Sequence, residues 1–147
     1  MSTQAKDLTK EAPASPKSRV GGYVILARLA DKARADFLGG NVGDYHTDCP
    51  LDHMLLDWKG VKYDDVKQAV VNGADDEELA GVIDKLGTSK TKEEITEWSD
   101  GMEKQNPYNN PEKKEWYAGE VQKLGLDPAT TPLFDWLDAD DKKTFGK

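Results

Sequence analysis

The histidines and the cysteine of this chain lie close together. His46, Cys49 and His53 fall within eight residues, and no other histidine or cysteine occurs among the 147 residues. These side chains supply many of the metal ligands, nucleophiles and proton carriers that proteins use near neutral pH. The stretch from Tyr45 to His53 is therefore where chemistry is expected first.

Cys49 by itself favours a nucleophile or a thiol sensor. It precedes Pro50, a residue that suits the first position of a helix, and the N–H groups and dipole of a helix start stabilise a thiolate. His46 is near enough in sequence to act as a base. Asp48 and Asp52 oppose this chemistry, because a thiolate beside a carboxylate is repelled. The sequence leaves the balance open, so a small cysteine-dependent enzyme or thiol sensor is one hypothesis.

The same residues also form a possible metal-ligand set. His46, Cys49 and His53, completed by Asp48 or Asp52, are mixed ligands of the kind that zinc accepts. Strong zinc motifs contain two separated pairs of ligands, whereas only one local cluster is present here. A metal-binding protein is therefore a further hypothesis, ranked third, and no cofactor is expected.

A folding role explains the whole stretch from Tyr45 to Asp52 without chemistry. In this interpretation Tyr45 packs across a loop, and Cys49 and Pro50 begin a helix. Asp52, at the third helical position, binds back to the N–H groups of the helix start. The leading hypothesis is accordingly a non-catalytic helical binding or interaction module, with Tyr45 and Asp52 among its candidate binding residues.

The clearest helix in the chain provides two more candidate binding residues, Arg28 and Lys32. Apolar side chains recur at helical spacing over residues 17–38, on a face formed by Tyr23, Leu26, Ala30, Ala33 and Phe37. Gly21 and Gly22 indicate either that the helix begins there or that another backbone passes close. Arg28 and Lys32 lie on the opposite face, which is partly apolar too. We therefore expect Arg28 to be at least partly buried against a carboxylate such as Asp52.

The rest of the sequence predicts one all-α domain of about six short to medium helices packed at varied angles. After the helix over 17–38, helices are expected over 50–60, 63–72, 75–86, 91–104, 110–125 and 132–137. Residues 1–18 are expected to form an extended N-terminal segment, and residues 19–147 the single helical domain. The four tryptophans are expected in the core. The carboxylates of residues 137–141 are expected to end one helix and cap another.

Composition limits the location and the partners. No apolar run approaches the roughly 20 residues needed to cross a membrane, and the first ten residues lack the apolar core of a secretory signal. The single cysteine fits a reducing cytoplasm. A net charge of −8 argues against general nucleic-acid binding. We expect an acidic cytoplasmic protein that binds neither nucleic acid nor a membrane, and whose partner is an unassigned small molecule or protein.

Several short motifs follow one another along the chain, namely Asp7-Leu-Thr9, Ala12-Pro13, Ser15-Pro16, Gly21-Gly-Tyr23, Ala27-Arg-Leu29, Asp31-Lys32, Arg34-Ala35, Tyr45, Cys49-Pro-Leu-Asp52 and Leu137-Asp-Ala-Asp-Asp141. Together they resemble the bacterial family catalogued as domain of unknown function 5069. The likeness runs from about Asp7 to Asp141 and is densest before Trp58. It implies a compact helical protein from bacteria and implies no activity. His53 lies outside the shared pattern, which counts against chemistry that needs both histidines.

Overall fold

The structure is a computed structural model that describes residues 5–146. Within this range the chain forms seven α-helices and no β-strand, so the predicted all-α class is confirmed. The helices are α1 (Leu26–Phe37), α2 (Pro50–Lys59), α3 (Tyr63–Val71), α4 (Asp76–Leu86), α5 (Lys92–Lys104), α6 (Lys114–Gln122) and α7 (Leu133–Phe145), with a 3₁₀ turn at Pro107–Asn109. The predicted N-terminal segment 1–18 and helical domain 19–147 both extend beyond this range, since residues 1–4 and 147 lie outside the described part. None of the described helices has the length and apolar character needed to cross a membrane.

The α1 helix is the centre of the fold, since every residue from Leu26 to Ala35 is buried. Its apolar side chains belong to a core shared with α2, α3 and α4. Its four buried charged residues each pair with a different part of the chain, giving Arg28–Asp141 (2.8 Å), Asp31–Lys6 (2.9 Å), Lys32–Asp52 (3.0 Å) and Arg34–Asp76 (2.7 Å). Because an unpaired buried charge is costly, these pairs determine where the surrounding segments dock on α1.

The predicted helix over 17–38 is wrong in its first part, because α1 begins only at Leu26. Gly21 and Gly22 adopt φ of 61° and 89°, and Val20 and Tyr23 exchange backbone hydrogen bonds of 3.1 and 3.0 Å across a tight turn. A Cβ on Gly21 would lie 2.6 Å from the Cβ of Ala80 in α4. The glycines therefore allow a neighbouring helix to approach closely, which is the second of the two interpretations of this pair.

Two later helix boundaries also differ from the prediction. The α6 helix starts at Lys114 rather than near residue 110, because the preceding residues form a turn in which the Lys114 N–H donates to the Asn110 carbonyl at 2.8 Å. The α7 helix runs to Phe145 instead of ending near residue 137. The carboxylates of residues 137–141 thus lie inside one helix, and the prediction that they end one helix and cap another is wrong. Asp141 is buried on the inner face of α7, a placement that a polar residue type does not reveal.

Candidate functional site

One side of α1 faces a cavity of about 770 Å³. Its walls come from the N-terminal segment, the loop before α2, α2 itself, the segment around α6, and α7. Most of the wall surface is apolar, and the apolar wall residues are Leu8, Pro50, Leu51, Met54, Pro107, Trp116, Leu133, Leu137 and Phe145. Five of the six candidate site residues also line it, namely Arg28, Lys32, Tyr45, His46 and Cys49. A cavity of this size with apolar walls and a few polar groups is typical of a small-molecule site.

Arg28 is held against this cavity by α7. Its side chain is buried, and its Nη1 donates to Asp141 Oδ2 at 2.8 Å and to the Ala14 carbonyl at 3.2 Å. The Tyr45 hydroxyl donates to Asp141 Oδ1 at 2.6 Å, and the Arg28 guanidinium lies 5.4 Å from the centre of the Tyr45 ring. Burial, and then the hydrogen bond to Asp141, raise the pKa of the Tyr45 hydroxyl. The predicted burial of Arg28 is confirmed, but its carboxylate partner is Asp141 rather than Asp52.

Lys32 joins α1 to the start of α2. Its Nζ lies 3.0 Å from Asp52 Oδ1 and donates to Cys49 Sγ at 3.2 Å. Asp52 Oδ2 in turn accepts the Cys49 N–H at 3.3 Å, which is the predicted interaction of Asp52 with the helix start. Lys32 and Asp52 are buried, whereas Cys49 is half-buried at the cavity.

A thiol, an ammonium and a carboxylate therefore meet at the start of α2. The ammonium and the helix start favour a thiolate, and the carboxylate disfavours it. The arrangement can hold a reactive sulfur next to a bound molecule, or it can serve only to position the helix.

The two histidines lie in different surroundings. His46 is exposed at the edge of the cavity. His53 lies on the outer side of α2, where Nδ1 is 3.0 Å from Asp57 Oδ1 and Nε2 is 2.5 Å from Asp48 Oδ1. Hydrogen bonds to Asp57 and Asp48 raise the pKa of the His53 imidazole. Between residues 5 and 146 no three His, Cys, Asp or Glu side chains are grouped as metal ligands, so the set His46, Cys49 and His53 is not assembled there.

Sequence reasoning missed most of the cavity wall. Trp116 was expected in the core, yet it is 55% exposed at the cavity and contacts Trp136 edge-on, with ring centres 5.7 Å apart. Leu133 and Leu137 continue the apolar face of α7 that contacts the core, and one helical stripe cannot show which of its residues face a cavity. The exposed position of Trp116 follows only from the docking of α6 beside α7.

Comparison with known proteins places this geometry in a sequence family. A family model described as "Domain of unknown function (DUF5069)" matches residues 10–143. The matched span contains both side-chain clusters beside the cavity, Arg28 with Tyr45 and Asp141, and Lys32 with Cys49 and Asp52. A search of curated proteins gives no match.

Proposed function

Because the chain belongs to the DUF5069 family, whose description gives no activity, we propose a function from the cavity. We propose that the protein binds a small amphipathic molecule in it. The observation that carries the proposal is the cavity of about 770 Å³, with apolar walls and buried hydrogen-bonding groups at its base. Cavities of about 300–1,000 Å³ commonly enclose ligands of drug size. Binding without catalysis is the simplest use of such a site.

The wall and the base contribute differently to binding. Burial of a ligand against the leucines of α2 and α7 would stabilise the complex by about 25 cal/mol for each Å² of apolar surface removed from water. Arg28 and Lys32 are held by ion pairs of 2.8 and 3.0 Å, so the hydrogen-bonding groups at the base are already in position before a ligand arrives. Such preorganisation lowers the entropic cost of binding.

Filling the cavity tests this proposal. Leu137 lines the cavity, and Leu137→Trp places a bulky ring there; Leu86 is 50% exposed and lies away from it, so Leu86→Trp is the matched control. We expect anilinonaphthalene sulfonate to bind wild type and Leu86→Trp saturably, with one dye per chain, and Leu137→Trp at least about tenfold more weakly. Circular dichroism checks that each variant is folded. Equal dye affinity in the two folded variants would refute cavity binding.

A second candidate function is thiol chemistry at Cys49. The observation that favours it is the 3.2 Å contact between Lys32 Nζ and Cys49 Sγ at the start of α2 and within the cavity lining. A positive neighbour and a helix start are the surroundings in which cysteines become reactive. A small electrophile bound in the cavity would lie beside this sulfur, as a cysteine-dependent enzyme or a thiol sensor requires.

The reactivity of the thiol tests this second candidate. We expect iodoacetamide to label wild-type Cys49 at pH 7 at least about tenfold faster than it labels a folded Lys32→Met/Asp52→Asn variant, which lacks both charges. Intact mass spectrometry follows a single adduct, because Cys49 is the only cysteine. Equal labelling rates would show that the Lys32–Asp52 pair gives the sulfur no net activation, and the candidate function would be abandoned.

A further inference from the structure

The buried cations at the base of the cavity have N–H groups that no protein acceptor uses. An ammonium carries three N–H donors and a guanidinium five. Lys32 contacts two acceptors, Asp52 Oδ1 and Cys49 Sγ. Arg28 makes three hydrogen bonds, two to Asp141 and one to Ala14. Among residues 5–146 this leaves at least one N–H of Lys32 and two of Arg28 without an acceptor, and both side chains are 3% exposed and line the cavity.

These unused donors suit an acceptor that enters the cavity. A buried donor on a charged group that makes no hydrogen bond is costly, so a native cavity that contains one is suited to a ligand or a water that accepts it. Arg28 and Lys32 lie one helical turn apart on α1 and both line the cavity, so a head group with two oxygens has a donor residue for each oxygen. Hydrogen bonds from charged donors to an anionic oxygen are about twice as strong as those between neutral groups.

The charges around the base select among head groups. Lys32 and Arg28 are each balanced by a carboxylate, at 3.0 and 2.8 Å, so the base is close to neutral overall. A dianion such as a phosphate monoester would be repelled by Asp52 and Asp141. A cationic head group would meet the two cations first, and would leave their donors unused. A single negative charge spread over two oxygens meets the donors with the least repulsion.

The remaining wall suits an apolar tail. Leu51 and Met54 of α2 face the cavity from one side, and Leu133 and Leu137 of α7 from the other, with Trp116 nearby. We infer that the ligand is a carboxylic acid with an aliphatic or aromatic tail, whose carboxylate accepts the unused N–H groups of Arg28 and Lys32 while its tail lies between α2 and α7. This inference rests on the proposed cavity binding and adds the chemical class of the ligand.

A matched series of ligands tests the head group and the tail together. Hexanoate, octanoate, hexanol and octanol are titrated into the full chain at pH 7.5 by isothermal calorimetry. We expect octanoate to bind at least about tenfold more tightly than octanol, since only the carboxylate accepts charge-assisted hydrogen bonds from both cations. Two added methylenes should strengthen carboxylate binding about fifteenfold, at about fourfold each.

A pair of variants tests the assigned residues. Lys32→Met/Asp52→Asn removes a donor and its balancing charge together, so that no unpaired buried charge remains. Lys59→Met is the matched control, because Lys59 is also buried but donates to the Thr88 carbonyl away from the cavity. We expect the double variant to lose about tenfold or more in octanoate affinity with octanol affinity unchanged within about threefold, and Lys59→Met to bind both as wild type does. Thermal melts verify that both proteins are folded.

The outcomes separate this inference from the function on which it rests. Equal binding of octanoate and octanol, or an octanoate affinity that is unaffected in the folded double variant, overturns the carboxylate assignment and leaves cavity binding standing. Saturable dye binding together with no binding of the carboxylates or the alcohols also overturns the carboxylate assignment and leaves cavity binding standing. Absence of dye, acid and alcohol binding overturns the proposed function as well.

Discussion

The hydroxyl of Tyr45 offers the sharpest test of how the cavity is held together. It donates to Asp141 Oδ1 at 2.6 Å and so ties the loop before α2 to α7. Replacement by phenylalanine removes this one hydrogen bond and keeps the ring that lies 5.4 Å from the Arg28 guanidinium. Asp141 keeps its contact of 2.8 Å with Arg28, so no buried charge loses its counter-charge.

The expected loss follows from the kind of bond that is removed. A hydrogen bond to a charged acceptor contributes about 1.5–3 kcal/mol to the free energy of unfolding. Tyr45 is half-buried beside the cavity, so water partly compensates and the lower half of that range applies. We expect Tyr45→Phe to lower the free energy of unfolding by about 2 kcal/mol. For a chain of this size that corresponds to a fall in Tm of about 6 °C.

Urea denaturation and a thermal melt measure both quantities. Tyr108→Phe is the matched control, since within residues 5–146 the Tyr108 hydroxyl makes no side-chain hydrogen bond while its ring contacts Lys114 at 4.8 Å. The control should change the free energy of unfolding by less than about 0.5 kcal/mol. A loss of similar size in both variants, or in neither, would refute the view that this hydroxyl joins the loop to α7.

Three further predictions concern pH and backbone geometry. The raised pKa of His53 beside Asp48 and Asp57 contributes stability that is full below about pH 6.5, the usual histidine pKa, and is lost as the pH rises through the folded-state pKa. Between about pH 6 and 9 the free energy of unfolding of the wild type, measured by urea titration, should therefore fall relative to that of His53→Gln. The fall should be at most about 1 kcal/mol, because solvent screens the site. A parallel pH dependence in both proteins would contradict this. Gly21→Ala should lower the free energy of unfolding by more than about 1 kcal/mol in the same assay, because φ is 61° and the added Cβ would meet the Cβ of Ala80. Gly119→Ala, in an open helical position, should be neutral or stabilising. The reverse order would show that the turn tolerates a side chain. Burial raises the pKa of four of the five tyrosines, namely Tyr23, Tyr45, Tyr63 and Tyr117, so stability should fall above about pH 10. In Tyr108→Phe, where these four are the only tyrosines, the absorbance near 295 nm should rise only with unfolding. A rise that precedes the loss of circular dichroism in this variant would disprove their burial.

The sequence predicts α2 almost to the residue because its signals are local. Pro50 suits the first helical position, Asp52 binds back to the helix start, and Gly60 ends the helix with a left-handed conformation at φ 72°. The start of α1 is missed because the apolar spacing continues through the turn at Gly21, where the chain is not helical. Periodicity reports which side of a segment is apolar and does not report whether the backbone between those residues turns.

The candidate site, too, is predictable from the sequence where its signals are local and is missed where it depends on contacts between distant residues. The stretch around Cys49 is identified by residue type and spacing, and the interaction of Asp52 with the helix start follows from its position. The partner of Arg28 is missed because Asp141 lies 113 residues away along the chain, and distant carboxylates are indistinguishable in one sequence. The cavity needs segments from both ends of the chain to dock on α1, so its wall becomes visible only in three dimensions.

The four charged pairs of α1 have a consequence for how related sequences can diverge. Loss of one member of a buried pair leaves an uncompensated charge and costs about 3–5 kcal/mol, whereas replacement of both members by apolar residues of similar size can be neutral. Among relatives, positions 28 and 141 should therefore change together or not at all. The Lys32–Asp52 pair carries a further constraint, since Asp52 also accepts the Cys49 N–H. In a relative that replaces both positions 32 and 52 and keeps Cys49, the cysteine remains without its two charged neighbours. Such a relative would separate the role of these charges in positioning the start of α2 from any role of the Cys49 sulfur.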